Sequence, residues 1–153
     1  MTQTPAPLLP PGPPSGPPPL RLSVPNVLAS VDAARLAFDA HLAGAEMSAR
    51  ARYRLELVLE EALMNRVWHA FPEGGVHDID LSLALQAEAL ELVVEDSGIA
   101  FDPLQAPPPA PATSLAEARP GGLGLMLTRK AALSCAYERR DGRNRLTVLI
   151  ARH

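Results

Sequence analysis

The chain has 153 residues, 47% of them hydrophobic and 20% charged, which is typical of one soluble globular domain with a substantial core. Its formal net charge of −3 argues against a nucleic-acid-binding or membrane-surface role, because both usually need a basic surface. A single cysteine, Cys135, excludes an intrachain disulfide, and the lack of a long apolar run or a secretory signal predicts a cytoplasmic protein without a membrane segment.

Residues 1–19 hold nine of the seventeen prolines and almost no charge. Because proline fixes φ and removes a backbone donor, this segment is predicted to form neither a helix nor a central strand. We interpret it as a disordered, polyproline-like tail, which is either inert or a ligand for a partner that binds proline-rich peptides.

The folded domain is predicted to run from residue 20 to residue 153. Alternation over 20–24 predicts a short strand that Pro25 ends. Apolar residues then recur every three or four positions over about 27–43, which predicts a helix capped by Asn26 and stopped by Gly44.

A second helix is predicted over about 48–71, with Ser48 as its cap and Pro72 just after its end. The following segment, 77–96, alternates apolar and polar residues on both sides of a short turn. This pattern predicts an antiparallel hairpin.

Residues 103–120 contain six prolines and are predicted to form a long loop, which in a compact domain is usually functional or mobile. Glycines then precede a predicted helix that extends to about 133. Two last strands are predicted, over about 134–140 and 144–151, with a turn at 140–143. The whole order is that of an α+β fold with helices on one face of a mixed, mainly antiparallel sheet.

Three polar features in this framework could carry chemistry. On the second helix, Glu61, Asn65 and His69 are four residues apart and would share one face. This stripe is either a solvated helix surface or a source of two oxygen ligands, and Mg²⁺ favours a few protein oxygens together with phosphates and waters. At the end of the predicted hairpin, Asp96 could accept from an exocyclic amine, and Gly98 would let a flat ring approach the backbone, although Asp-Ser-Gly is also an ordinary turn.

The third feature is a glycine turn that opens a helix, where successive backbone N–H groups can converge on an anion. Neither a P-loop nor a dinucleotide fingerprint fits it. The three features follow one another as Glu61-x-x-x-Asn65, Asp96-x-Gly98-x-x-Phe101-Asp102-Pro103 and Gly121-Gly122-Leu123-Gly124-Leu125.

In this order the motifs resemble the N, G1 and G2 boxes of the GHKL ATPases. The strongest likeness is to the anti-sigma-factor serine/threonine kinases, whose motif Glu-Ala-x-x-Asn-x-x-x-His-Ala-Tyr is similar to residues 61–71. The resemblance covers about residues 20–152. It implies a histidine-kinase-like ATPase domain with the Bergerat-type ATP-binding fold, a two-layer α/β sandwich, and it implies ATP and Mg²⁺ as cofactors.

The resemblance also implies roles for individual residues. Asn65 would ligate Mg²⁺, Glu61 would be the general base, Asp96 would accept from the adenine amino group, and Gly98 would leave room for the ring. The segment 103–120 would be the ATP lid. Phosphate contacts would come from the backbone at Gly121, Gly122, Leu123 and Gly124 and from the side chain of Arg119.

The sequence departs from the family pattern at several points. Histidine kinases of this superfamily usually carry lysine where this chain has Trp68, and no segment before residue 20 is long enough for a dimerising phosphoacceptor helix pair. Both features argue against an intact sensor histidine kinase. Arg66 stands where small residues are common, and the lid is poor in charge. His69 could support a neighbouring ligand or simply belong to the helix surface.

The resemblance implies phosphorylation of a serine or threonine on an anti-sigma antagonist of the STAS type, alternating with capture of a sigma factor. It implies no direct contact with nucleic acid or membrane, and it leaves open whether the protein forms a homodimer, as family members often do. Two alternatives stay open. One is a nucleotide-gated module that sequesters a partner without phosphate transfer. The other is a stand-alone ATPase part of a phosphorelay, or a degenerate fold that no longer binds nucleotide.

Overall fold

The computed structural model describes residues 17–104, 130 and 132–153. The predicted lid from residue 105 onward and the helix predicted after it, apart from residues 130, 132 and 133, therefore lie outside the described residues. The described elements, in chain order, are β1 (Leu20–Pro25), α1 (Ala29–His41), α2 (Ala49–Asn65), a π-helical turn (Arg66–Ala70), β2 (Asp78–Leu85), β3 (Ala89–Asp96), β4 (Ser134–Arg140) and β5 (Arg143–Ala151).

The five described strands form one sheet in the order β1-β2-β3-β5-β4, and every neighbouring pair is antiparallel. Register sets the apolar positions of adjacent strands opposite one another, as at Val24 and Ile79 or at Leu92 and Val148. Because side chains alternate between faces along a strand, these pairs share one face, which forms the core. The predicted α+β class is confirmed.

Both helices cover that apolar face. Phe38 of α1 and Leu59 and Leu63 of α2 are almost completely buried, and they belong to the same core cluster as the inward side chains of the sheet. Within the described part of the chain, neither helix combines the length and the apolar character that crossing a membrane would require.

The two predicted helix caps have different outcomes. The side chain of Ser48 accepts a hydrogen bond from the backbone N–H of Ala51 at 3.0 Å, so its role as the cap of α2 is confirmed. Asn26 is not a cap, because its side chain bonds the backbone of Gly75 and His77 instead. Helix α1 begins at Ala29 with no side-chain cap.

The second helix is shorter than predicted. It remains α-helical only to Asn65, and residues 66–70 form a π-helical turn, with hydrogen bonds closing over five residues instead of four. Asn65 and His69 nevertheless line one cavity, so the predicted stripe persists at these two residues although the α-helical spacing ends at Asn65.

Both predicted hairpins are confirmed. The β2–β3 turn closes with a bond from the Gln86 N–H to the Ala89 carbonyl at 2.8 Å. In the β4–β5 turn, Asp141 and Gly142 have φ of 51° and 74°. Two successive positive φ values define the type I′ turn, whose twist matches a two-residue hairpin.

Candidate functional site

The candidate site begins where the apolar ladder of the sheet turns polar. Asp96, the last residue of β3, continues the inward-facing positions of Leu92 and Val94. Its cross-strand partner on β5 is Asn144, which continues the inward positions of that strand in the same way. Both side chains are buried, at 1% and 3% exposure. A carboxylate and a carboxamide therefore lie side by side at one end of the core.

Three donors among the described residues satisfy the Asp96 carboxylate. Its Oδ1 accepts from the Gly98 N–H at 2.9 Å and from Asn144 Nδ2 at 3.0 Å. Its Oδ2 accepts from Arg66 Nε at 3.2 Å, which makes a salt bridge with both side chains at 5% exposure or less. Buried charges are normally paired and hydrogen-bonded in this way, because the desolvation cost is otherwise large.

Arg66 reaches Asp96 from the start of the π-helical turn. Its Nη1 donates to the carbonyl of Ala62 at 3.2 Å, one turn back on α2. Burial lowers the pKa of the Arg66 guanidinium from its ordinary value, whereas the charge of Asp96 and its hydrogen bond act in the opposite direction. The guanidinium and the carboxylate thus stabilise each other inside the protein.

Asn144 connects this ion pair to β4. Its Nδ2 also donates to the Ile99 carbonyl at 2.8 Å, and its Oδ1 accepts from Tyr137 Oη at 2.5 Å and Arg139 Nη1 at 2.9 Å. Donors surround the oxygen and acceptors surround the nitrogen, so only one orientation of the amide fits. Sequence reasoning missed this role of Asn144. The alternation of β5 was the available signal, because it places Asn144 on the core face.

Gly98 is required by a close backbone contact. A Cβ at this position would lie 2.5 Å from the carbonyl oxygen of Ala70 and 2.7 Å from its Cβ. The next N–H, of Ile99, donates to the same carbonyl at 2.9 Å. The chain after β3 is therefore held against the end of the π-helical turn, and the side on which Gly98 lacks a side chain faces Ala70.

Glu61 and Asn65 have unpaired polar atoms. Glu61 Oε2 and Asn65 Nδ2 are buried and lack hydrogen-bond partners among the described residues, although buried polar atoms are rarely left so. Burial, and secondarily the nearby charge of Glu60, raise the pKa of the Glu61 carboxyl above its ordinary value of 4.5. Rotation about its last side-chain bond lets the Asn65 amide present either oxygen or nitrogen. This donor set fits a hard cation that takes few protein oxygens.

A narrow cavity lies between the π-helical turn and the end of the sheet. Its volume is about 10 Å³, which is room for roughly one water molecule. In contrast, the outward face of β1, β2 and β3 carries an open depression of about 440 Å³, where Asp80 and Glu95 are paired with arginines of β5. The narrow cavity is lined by Asn65, Arg66, His69, Ala70, Asp96, Ile99, Phe101 and Asn144.

Residues 24–150, most of the chain, match the family described as the histidine kinase-like ATPase domain. The chain belongs to this family. One relative is the serine/threonine-protein kinase BtrW of Bordetella bronchiseptica, which is 46% identical over 101 residues, or 66% of this chain and 71% of that protein. The RsbU and RsbW domains of Rv1364c from Mycobacterium tuberculosis share the fold, with a TM-score of 0.61 at 15% identity over 90% of this chain and 34% of that one.

The predicted site residues of this histidine kinase-like ATPase domain are brought together only in part. Asn65 and Asp96 line one cavity, and Glu61 lies one helical turn before Asn65. Trp68 is half exposed on the π-helical turn. The remaining predicted residues, which are Arg119, Gly121, Gly122, Leu123 and Gly124, lie outside the described residues.

Proposed function

We propose that this protein binds Mg²⁺–ATP and transfers its terminal phosphoryl group to a serine or threonine of a partner protein. Membership of the histidine kinase-like ATPase family and the similarity to a serine/threonine-protein kinase support this proposal. The observation that carries it is the unpaired pair of buried atoms on α2, Glu61 Oε2 and Asn65 Nδ2. A buried carboxylate oxygen and a buried amide nitrogen, both without partners and one turn apart, lower the stability of a fold, which is typical of a functional site.

The proposal assigns one task to each described residue of the site. Asn65 would hold Mg²⁺ through its amide oxygen, and Asp96 would accept from the adenine amino group. Mg²⁺ needs few protein ligands, because phosphates and waters supply the rest. The phosphates would be bound by backbone groups of Gly121, Gly122, Leu123 and Gly124 and by the side chain of Arg119 in the lid.

Glu61 would act as the general base for the partner's hydroxyl. Bound Mg²⁺–ATP supplies the phosphoryl group and the cationic charge that its transfer needs. Because its pKa is raised, Glu61 accepts a proton more readily than an exposed glutamate. Glu61 lies one helical turn before Asn65, so the base would be beside the proposed cation site and would orient the hydroxyl toward it.

The partners that we propose are those that the resemblance to the anti-sigma-factor kinases implies. We propose that the phosphorylated protein is an anti-sigma antagonist of the STAS type and that a sigma factor is the alternative, sequestered partner. The similarity to a serine/threonine-protein kinase supports a protein hydroxyl as the phosphoryl acceptor.

The test uses two adjacent glutamates on α2. Purified protein is incubated with Mg²⁺–[γ-³²P]ATP and the antagonist encoded nearest to its gene, and phosphoprotein is followed over time. Glu61→Gln should lower transfer at least about a hundredfold while ATP binding persists, as expected for loss of a general base. Glu60→Gln is the control, because it removes the same charge from an exposed position on the same helix. Equal rates for wild type and Glu61→Gln would refute the role of Glu61.

A second candidate is a nucleotide-gated binding module without kinase activity. The salt bridge between Arg66 and Asp96 supports it, because nucleotide that reaches Asp96 would have to displace Arg66 and would thereby couple binding to a change within the protein. The same incubation separates the two functions. ATP that binds, stays intact and alters sigma-factor affinity in a pull-down would indicate the module, whereas phosphoprotein would indicate the kinase.

A further inference from the structure

Arg66 is bound to Asp96, the carboxylate that would recognise adenine in the proposed ATP site. Its Nε donates to Asp96 Oδ2 at 3.2 Å, and its side chain is only 5% exposed. With the guanidinium in this place, the cavity beside Asp96 has a volume of about 10 Å³. Ligand pockets typically have volumes of about 300–1,000 Å³, so a purine ring cannot reach Asp96 until part of the wall moves.

Arg66 is the side chain of this cavity wall that can move while the other hydrogen bonds of Asp96 stay in place. Asp96 would keep its bonds from the Gly98 N–H and Asn144 Nδ2, and Asn144 is itself held by Tyr137 and Arg139. The carboxylate would therefore stay in position. In contrast, Arg66 is a long side chain whose second described bond is to one backbone carbonyl, that of Ala62. A long flexible side chain can change rotamer, whereas the hydrogen-bonded end of a sheet cannot easily move.

We propose that Arg66 is an internal competitor for the adenine site: its guanidinium closes Asp96, and nucleotide binds only when the adenine amine replaces it. This inference rests on the proposed ATP-binding function and names a determinant of its affinity. A carboxylate binds a guanidinium more strongly than a neutral amine, because the first contact is an ion pair. The exchange therefore opposes binding, and Arg66 lowers the affinity for nucleotide.

The competition would act at the adenine of the nucleotide and not at its phosphates. It can therefore be distinguished from a role of Arg66 in phosphate binding. An arginine that binds phosphate strengthens the binding of ATP and of tripolyphosphate alike. An arginine that closes the adenine site weakens the binding of ATP and adenosine and leaves tripolyphosphate unaffected. Adenosine and tripolyphosphate are therefore the two diagnostic probes, measured with ATP in the presence of Mg²⁺.

The experiment measures the affinity of the full chain for these three compounds by isothermal titration calorimetry. Arg66→Ala should bind ATP and adenosine about tenfold more tightly than wild type, a change of the size that one hydrogen bond to a charged group contributes. Arg66→Met, which is closer in volume, should change affinity in the same direction and serves if the alanine variant folds poorly. Arg35→Ala is the matched control, because it removes an arginine whose ion pair with Asp32 lies on the exposed face of α1.

Each outcome decides something. Adenosine affinity that is unchanged or weaker in both Arg66 variants would overturn the competition, and if wild type still binds ATP the proposed function would survive. Weaker tripolyphosphate binding would identify Arg66 as a phosphate ligand and also overturn it. If only the Arg66 variants bind ATP, Arg66 closes the adenine site of the wild type completely, which supports the competition. If no variant binds ATP or adenosine, both proposals fail.

Discussion

Replacing Asp96 by asparagine removes the negative charge from the buried ion pair while nearly keeping the shape of the side chain. The guanidinium of Arg66 then remains buried with the carbonyl of Ala62 as its main charge-stabilising partner. Breaking a buried pair by removing one partner costs about 3–5 kcal/mol. Because asparagine retains one acceptor oxygen, we expect the lower end of that range, about 3 kcal/mol, which corresponds to a fall in Tm of roughly 6–12 °C.

The assay is urea unfolding followed by circular dichroism, with an exposed ion pair as the control. Asp80 and Arg143 approach more closely, at 2.7 Å, but their side chains are 50% and 41% exposed. Asp80→Asn makes the same chemical change and should cost less than about 1 kcal/mol, because water screens the pair and hydrates either partner when it is left alone. Burial, not distance, is expected to set the difference between the two substitutions.

Adding Arg66→Met to Asp96→Asn should restore at least about half of the lost stability, because the uncompensated charge is then gone. Arg66→Met alone should also destabilise the fold, but by less than Asp96→Asn, because Asp96 loses its counter-charge yet keeps its two donors from Gly98 and Asn144. The reasoning would be refuted if Asp96→Asn cost no more than Asp80→Asn, or if Arg66→Met failed to rescue it.

Four further predictions concern the site. Asn65→Ala should abolish the Mg²⁺ dependence of ATP binding in calorimetry yet change the unfolding free energy by less than about 1 kcal/mol, because Nδ2 loses no hydrogen bond; a large loss of stability would contradict this. Gly98→Ala should destabilise by about 1–3 kcal/mol in urea, since its Cβ would overlap Ala70, and wild-type stability would show that the contact is not tight. The raised pKa of Glu61 should place the acidic limb of phosphotransfer above pH 4.5, with activity falling as the pH falls through that pKa, and Glu60→Gln should move the limb to lower pH. By the same shift, Glu61→Gln should stabilise the fold at neutral pH, with the gain disappearing below pH 4.5, where the carboxyl is protonated in both states; a gain independent of pH would contradict this.

Much of the fold was accessible from local patterns. Alternation along 77–96 predicted both strands of the first hairpin and their buried face, and Asp141-Gly142 predicted the second turn. The helical end near Asn65 was less predictable. An α-helix and a π-helical turn differ by one residue in hydrogen-bond spacing, and the apolar periodicity of the sequence is too coarse to separate them.

The sequence by itself determined which residue types are available and on which faces they lie. Periodicity is a local property, so the inward positions of Asp96 and Asn144 and the adjacency of Glu61 and Asn65 are already present in the chain. The motifs also indicated the family that the match over residues 24–150 confirms, because their order and spacing are linear features.

Only the tertiary structure decided what these residues contact. Arg66 and Asp96 are 30 positions apart, and Asn144 lies 48 positions beyond Asp96. Their meeting depends on the register between β3 and β5 and on the π-helical turn that brings Arg66 back over the end of the sheet. A local sequence pattern cannot predict contacts between residues so far apart in the chain. In the sequence Arg66 is an unusual neighbour of the asparagine that we propose to bind Mg²⁺, whereas in the folded protein its guanidinium is the partner of the carboxylate that we propose to recognise adenine.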